Sequence, residues 1–276
     1  MYLKYFGLRE LPFGLTPDTS FAFRAATHQE ALNTLAFALN SGEGFIKITG
    51  EVGTGKTLLC RRLLQAMGDR YQVAYLPNPD LEPRTLLLAV GEELEADLDP
   101  EADQYHLLKA LNQRLLDIAK AGKAAVVCID EAQAMPEASL ESLRLLSNLE
   151  TQKRKLLQWV MFGQPELDEK LSQEGLRQLR QRIAFHYRIQ PLGRSEVAAY
   201  VGHRLKVAGL LGQNPFSPAA LKALAQASGG IPRLINILGH KTLMSVFGEG
   251  RHQALRHHVR DAARDTEGAR SIGRWW

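Results

Sequence analysis

Three short stretches carry almost nothing but apolar residues: Phe45–Thr49 (FIKIT), Ala124–Ile129 (AAVVCI) and Leu156–Phe162 (LLQWVMF). Runs of that length without alternation predict strands buried on both faces. Val73–Leu76 and Phe185–Ile189 give weaker signals of the same kind. Between them the apolar positions return with a helical period, as over Tyr105–Ala121 and Leu140–Leu149. Strands alternating with helices predict an α/β fold, a parallel sheet sandwiched by helices. After Pro191 the pattern changes. Ser195–Ala208, Pro218–Ala227 and Pro232–Phe247 read as three helices, the last two with proline in the first turn. The reading is an α/β domain over residues 1–190, a small all-helical lid over 191–250 and a tail over 251–276. Leu255, Val259, Ala262 and Ala263 would line one side of a tail helix, expected to fray at Gly268.

A length of 276 residues exceeds what one core usually serves, in agreement with a large and a small domain. No run approaches the ~18 apolar residues of a membrane span. The opening MYLKYFGLRE has no apolar core of a signal peptide, so the expectation is a cytosolic chain that reaches a membrane only through a partner. The net charge of +4 is uneven: residues 251–276 hold six arginines against three acids, and the tail ends in Trp275 and Trp276. The rest, with 28 basic and 27 acidic residues, is close to neutral and does not resemble a nucleic-acid sleeve. Cys60 and Cys128 lack metal-type spacing and sit in apolar stretches, which predicts two reduced thiols in the core. Seven acids in Gly91–Asp103 read as a solvated face. His252, His257 and His258 lack further ligands and read as part of a solvated basic helix rather than a metal site.

The chemistry concentrates at Gly50–Thr57, GEVGTGKT, a full G-x-x-x-x-G-K-[ST] match between a strand and a helix. Its glycines let backbone N–H groups converge on phosphate oxygens, and the helix N-terminus adds partial positive charge. The nucleotide cradle is expected from Gly50, Glu51, Val52, Gly53, Thr54, Gly55, Lys56, Thr57 and Leu58. Lys56 would reach the β- and γ-phosphates of ATP, and the Thr57 hydroxyl would ligate Mg²⁺. The strand AAVVCI runs into Asp130, a second Mg²⁺ ligand, and Glu131, which would polarise the attacking water. That pair points to hydrolysis rather than kinase chemistry, and the guanine-reading N-K-x-D of a GTPase is absent.

Three further positions follow. Gln164, after the strand LLQWVMF, would lie near the γ-phosphate, or is simply a turn residue before Pro165. Arg177, Arg180 and Arg182 precede the last weak strand, where an arginine could reach a neighbouring subunit's γ-phosphate; Arg182 is the first choice and Arg180 the second. A solvated basic face remains the other reading for at least one of them. Arg233 follows Gly229–Pro232 (GGIP) in the first turn of a helix, where the dipole disfavours a cation unless a phosphate is bound.

Together GEVGTGKT, VVCIDEAQ, the arginine run and GGIPR resemble AAA+ ATPases. The opening YFGLRELPFGLTPDTSFAF, the HQEAL helix and GEGFIKITGEVGTGKTLLCRRLL are similar to the ExeA/GspA family of secretion ATPases over residues 1–250, and most similar to its MshM-like branch of MSHA (type IV) pilus biogenesis. The resemblance implies Gly50–Thr57 as Walker A, Asp130 and Glu131 as Walker B, Gln164 in the sensor 1 place, Arg182 as arginine finger and Arg233 in the sensor 2 place. It implies that Asn78 holds Glu131 in an inactive pose. ExeA-like proteins usually continue through a membrane span into a peptidoglycan-binding module; the expectation is that this chain, like the pilus branch, has neither. A nucleotide-dependent homo-oligomer working with pilus or secretion-assembly proteins, at the inner membrane through a partner, is the implied setting. The rivals are a DNA-acting ATPase of the TniB-like kind, for which the basic tail would track phosphates, and an ATP-gated scaffold without turnover. The tail has two readings as well: a docking segment anchored by its tryptophans, or a helix that caps the small domain.

Overall fold

The structure, a computed structural model, describes residues 2–16, 18–149 and 155–273. The strands are β1 (Phe45–Thr49), β2 (Tyr71–Leu76), β3 (Ala124–Ile129), β4 (Leu157–Gly163) and β5 (Ile183–Arg188). The helices are α1 (Tyr2–Tyr5), α2 (Ala26–Asn40), α3 (Lys56–Ala66), α4 (Pro83–Glu93), α5 (Gln104–Lys120), α6 (Glu137–Leu146), α7 (Pro165–Leu171), α8 (Arg177–Arg182), α9 (Arg194–Val207), α10 (Pro218–Ser228), α11 (Pro232–Gly248) and α12 (Arg256–Arg264). They divide into two compact units. The sheet unit holds Thr27–Gly50 and Leu59–Ile189; the helical unit holds the described residues of Met1–Ala26, Glu51–Leu58 and Gln190–Trp276.

In the sheet unit the strand order is β2-β3-β4-β1-β5, all pairs parallel. This is the expected α/β sheet sandwiched by helices, and burial explains which strands the sequence marks clearly. β1 and β4 are buried at every position and β3 at all but its first, because both sheet faces are covered. Phe45, Val127, Ile129, Trp159 and Met161 face the core shared with α4 to α8. Their neighbours Ile46, Ile48, Val126, Cys128, Val160 and Phe162 face α2 and α3. The edge strands differ: β5 alternates half-buried with exposed residues, and β2 is mostly half-buried. The buried Lys47 of β1 binds Asp168 of α7. Two acids of 91–103 bind backbone N–H groups: Asp103 caps α5 by accepting the His106 N–H at 2.9 Å, and the Glu93 carboxylate accepts the Tyr75 N–H of β2 at 3.0 Å.

The helical unit packs α9 to α12 on one apolar core. Ser217 accepts the Ala220 N–H at the start of α10, Pro218 follows it, and Gly229 ends the helix at φ +58°. Two of the sequence boundaries shift here. Residues 2–25 belong to this core rather than to the sheet unit, through Tyr2, Leu8, Phe13 and Phe21. The pin is the buried Arg204 of α9. Its Nε donates to Pro12 O at 2.5 Å and its Nη2 to Gly14 O at 3.1 Å, and its guanidinium lies 4.4 Å from the Phe21 ring centre. Tyr2 Oη adds a 2.9 Å bond to His240 Nδ1.

The stretch after residue 250 is no loose tail. Val259, Ala262 and Ala263 of α12 are buried in the core, and Ala254 bonds back to Pro215 O and to Ser217 N. The chain does not fray at Gly268: Arg270 N donates to Ala227 O at 2.8 Å and Ile272 is buried. Trp275 and Trp276 lie outside the described residues.

Candidate functional site

β1 ends at Thr49, and Gly50 N donates to Gly163 O at 3.2 Å, so the loop departs level with the end of β4. Inside the loop three donors converge on one carbonyl. Thr54 N and Oγ1 reach Glu51 O at 3.2 and 2.8 Å, and Lys56 Nζ reaches it at 3.2 Å. Gly53 at φ +81° and Gly55 at +94° occupy the left-handed region that turns successive N–H groups to one side. α3 begins at Lys56, which is 4% exposed, and Thr57 and Leu58 complete its first turn, half-buried.

Arg233 meets this loop within the same unit. Its N–H donates to Gly53 O at 3.2 Å, and a Cβ on Gly53 would lie 2.5 Å from Arg233 Cβ. The first turn of α11 therefore packs directly on the Gly50–Thr57 loop, with the Arg233 side chain exposed beside it. Val52 is exposed as well. A glycine nest with a lysine fits a polyphosphate, and the Thr57 hydroxyl and Asp130 carboxylate are the hard oxygen donors that suit Mg²⁺.

Asp130 and Glu131 follow β3. Asp130 is buried; its N–H extends the sheet pairing to Leu76 O, and its Oδ1 accepts the Glu131 N–H at 3.0 Å. Glu131 has φ 51° and ψ 39°, a left-handed conformation that costs a side-chain-bearing residue ~1–2 kcal/mol. Its Oε2 accepts two amide donors, Gln133 Nε2 at 2.5 Å and Gln164 Nε2 at 2.9 Å. Gln164 stands at the start of α7 before Pro165, the turn position, and its side-chain amide binds Glu131, a partner the sequence does not announce. Asn78 does not restrain Glu131: its side chain is exposed and bonds to nothing among the described residues. The Glu131 carboxylate is bound instead by the glutamine two residues after it. Sequence reasoning passed over Gln133, although it stands in the DEAQ stretch that signals the site.

The arginines of α8 separate. Arg182 Nη1 donates to Arg144 O at 3.0 Å, Asn148 Oδ1 at 2.8 Å and Ser147 Oγ, so its charge caps the C-terminal end of α6. Arg177 and Arg180 are exposed.

Two candidate clusters carry no chemistry. Glu249, His257 and His258 bring their ligand atoms within 4.8 Å of one another. Yet His258 Nδ1 accepts the Leu255 N–H at 2.9 Å, which leaves the proton on Nε2, donated to Glu249 Oε2 at 3.1 Å. That ring has no lone pair for a cation, and the cluster is a helix cap. His252 stacks on Tyr5 at 4.5 Å. Cys60 and Cys128 are both buried; the hydrogen bond between them and burial push the Cys60 thiol well up, so it stays protonated near neutral pH.

Comparison with known proteins gives one sequence family and a set of related folds. Residues 39–171 match the family described as AAA domain. The chain is 44% identical over 275 residues to General secretion pathway protein A of Aeromonas hydrophila, covering 100% of this chain and 50% of that protein. It thus spans about half the length of that curated relative. Among solved structures, the Aeropyrum pernix ORC2 protein in ADPNP-ADP complexes has a TM-score of 0.64 at 15% identity, covering 94% of this chain and 73% of the other. Cdc6p of Pyrobaculum aerophilum has a TM-score of 0.67 at 17% identity, covering 90% and 70%. The Thermotoga maritima RuvB Holliday junction branch migration motor has 0.56 at 17%, covering 86% and 68%. The fold is the α/β AAA+ fold of P-loop NTPases. No described helix is long and apolar enough to cross a membrane.

Proposed function

We propose that the chain binds MgATP and hydrolyses it as a subunit of a homo-oligomer, in the service of a secretion or type IV pilus assembly machine. One observation carries the chemistry. β3, β4 and β1 are neighbours in the sheet, and their carboxyl ends run into Asp130 and Glu131, Gln164, and the Gly50–Thr57 loop. Ligand sites of open α/β sheets form beyond such strand ends. In this reading the loop N–H groups and Lys56 hold the phosphates, and Thr57 and Asp130 hold Mg²⁺, which neutralises charge developing on the phosphate oxygens. Glu131 takes a proton from the attacking water as its oxygen bonds to the γ-phosphorus and the bond to the β-phosphate oxygen breaks. Arg233, seated on Gly53, answers the γ-phosphate within the subunit.

For the arginine supplied to a neighbour, the anchoring of Arg182 on α6 supports Arg180, exposed two residues before it. The secretion setting, with a partner at the inner membrane, is our reading, and the 44% identity to General secretion pathway protein A supports its secretion part. The pilus branch rests on the resemblance of the opening segment. The DNA-acting alternative draws on the tail charge, but part of that charge is answered locally: Arg264 and Arg260 pair with Asp261.

Calorimetry and phosphate release on two variants test the reading. Lys56→Ala abolishes MgATP binding. Glu131→Gln keeps ATP affinity and loses turnover. Phosphate release at the wild-type rate by Glu131→Gln would remove Glu131 from the chemistry.

A further inference from the structure

The clasp on Glu131 contains one side chain to which the proposed reaction gives no role. Gln133 donates Nε2–H to Glu131 Oε2 at 2.5 Å and accepts the Gln164 backbone N–H on its Oε1 at 2.9 Å. Gln164 closes the ring by donating its own Nε2–H to the same carboxylate oxygen at 2.9 Å. The backbone under Gln133 is fixed from the same side: Lys170 Nζ donates to Gln133 O and Met135 O, each at 2.7 Å. Gln164 caps α7 and Lys170 sits in its last turn, so one helix holds both ends of the clasp. Gly163 keeps the space open, since a Cβ there would lie 2.6 Å from Leu167 Cδ2 and 3.4 Å from Gln133 Oε1.

We infer that Gln133 is a positioning residue that fixes the carboxylate of Glu131 and ties it to Gln164. The inference rests on the reading of Glu131 as the base. Its physical ground is the backbone of Glu131. A left-handed residue with a long side chain has a strained main chain and freely turning χ angles, and left alone it would sample several carboxylate positions. Two amide donors on one oxygen select one of them, and bonds to a charged acceptor are the strong kind. Gln133 does this with both ends of its amide. Its donor orients Glu131, and its acceptor registers where the Gln164 backbone stands, so the base and the γ-phosphate sensor move as one group. A residue that merely filled space could be replaced by an isostere; this role needs the amide.

The test uses the full chain and three variants: Gln133→Met, of similar length without polar ends; Gln133→Asn, with the same amide one carbon short; and Glu131→Gln. Steady-state turnover is expected to give a kcat about ten- to a hundred-fold lower for Gln133→Met and Gln133→Asn, with KM for ATP and calorimetric MgATP affinity within about two-fold of wild type. A second readout involves no turnover. The side-chain amide resonance of Gln164 in the ¹⁵N–¹H spectrum of the protein alone shifts in both Gln133 variants. If Gln133→Met does not fold, Gln133→Asn reports both quantities with the polarity kept. A wild-type kcat in either folded variant, or an unmoved Gln164 resonance, overturns the role. Loss of turnover in Glu131→Gln beside full activity in Gln133→Met sinks this inference alone, whereas full activity in Glu131→Gln sinks the reading beneath it.

Discussion

Replacing Gly53 by alanine imposes two separable costs at the point where the Gly50–Thr57 loop meets α11. The first is conformational: Gly53 sits at φ +81°, and an L side chain in the left-handed region costs ~1–2 kcal/mol. The second is steric. The new Cβ would stand 2.5 Å from Arg233 Cβ and 3.3 Å from Ile231 Cγ2. Carbon atoms rest at about 3.5–4.0 Å, so one side must retreat by roughly 1 Å. Arg233 Cβ cannot swing away as a side-chain tip would, because it is fixed to the first turn of α11. The retreat therefore breaks the Arg233 N–H bond to Gly53 O, and overpacking of this kind costs ~1–3 kcal/mol. Together the costs come to about 2–5 kcal/mol, divided between folding stability and a loop displaced from its phosphate-binding shape. If ~2 kcal/mol falls on the loop, the calorimetric Kd for MgATP weakens about thirty-fold. Gly42→Ala is the control: Gly42 has φ +74°, nothing within 4 Å of its would-be Cβ and no place in the loop. It carries the conformational cost alone, and its ATP affinity stays at the wild-type value. A Gly53→Ala protein with wild-type Kd and no more loss of stability than Gly42→Ala would refute the reasoning.

Arg204→Ala removes two bonds from a charged donor, ~1.5–3 kcal/mol each, and a cation–π contact of ~0.5–2 kcal/mol, and strands the Pro12 and Gly14 carbonyls. Since such terms do not add fully, urea denaturation is expected to show a loss of about 3–5 kcal/mol, and a loss under about 1 kcal/mol would mean the N-terminal segment is held otherwise. Burial pushes the Tyr2 phenol up to about 12 from its ordinary 10.0. A raised folded-state value means this contribution is complete below pH 10 and lost as the pH rises through 12; Tyr2→Phe flattens that alkaline limb in pH-dependent melting, and an unchanged limb contradicts the assignment. Val259→Asp buries a carboxylate in the helical core and is expected to lower the melting temperature by more than about 10 °C, measured by circular dichroism; a wild-type melt would return α12 to the status of a loose tail.

What the sequence discloses follows the range of the interactions involved. The Gly50–Thr57 loop is legible because its requirements are local: glycines where φ is positive, lysine at the first helical position, apolar β1 before it. The central strands are legible because both faces are buried, whereas β5, half-exposed at an edge, differs little from a loop in composition. Residues 2–25 look like the start of the α/β domain until Arg204, 192 positions after Pro12, is seen to hold them. Gln133 is hidden for a different reason. Two residues apart, side chains of a strand share a face and those of a helix do not meet, but a left-handed Glu131 folds the chain back so that the Gln133 amide reaches the Glu131 carboxylate.

The segment after Gly250 shows how two sequence signals of different kind compete. Its charge of +3 argues for an anionic partner, and the spacing of Val259, Ala262 and Ala263 argues for a packed helix. Charge is cheap to accommodate at a surface: Lys241 binds Asp265 at 2.8 Å, Arg264 binds Asp261 at 3.4 Å, and such exposed pairs are worth little either way. Apolar area has no comparable freedom, because each of those side chains left in water forfeits ~25 cal/mol for every Å² it could bury. Packing therefore fixes where α12 lies, and charge decides only which residues line its outer face. A partner for that face would have to be recruited by a helix whose own fold has already spent its apolar side, which leaves long-range, salt-sensitive attraction as its means.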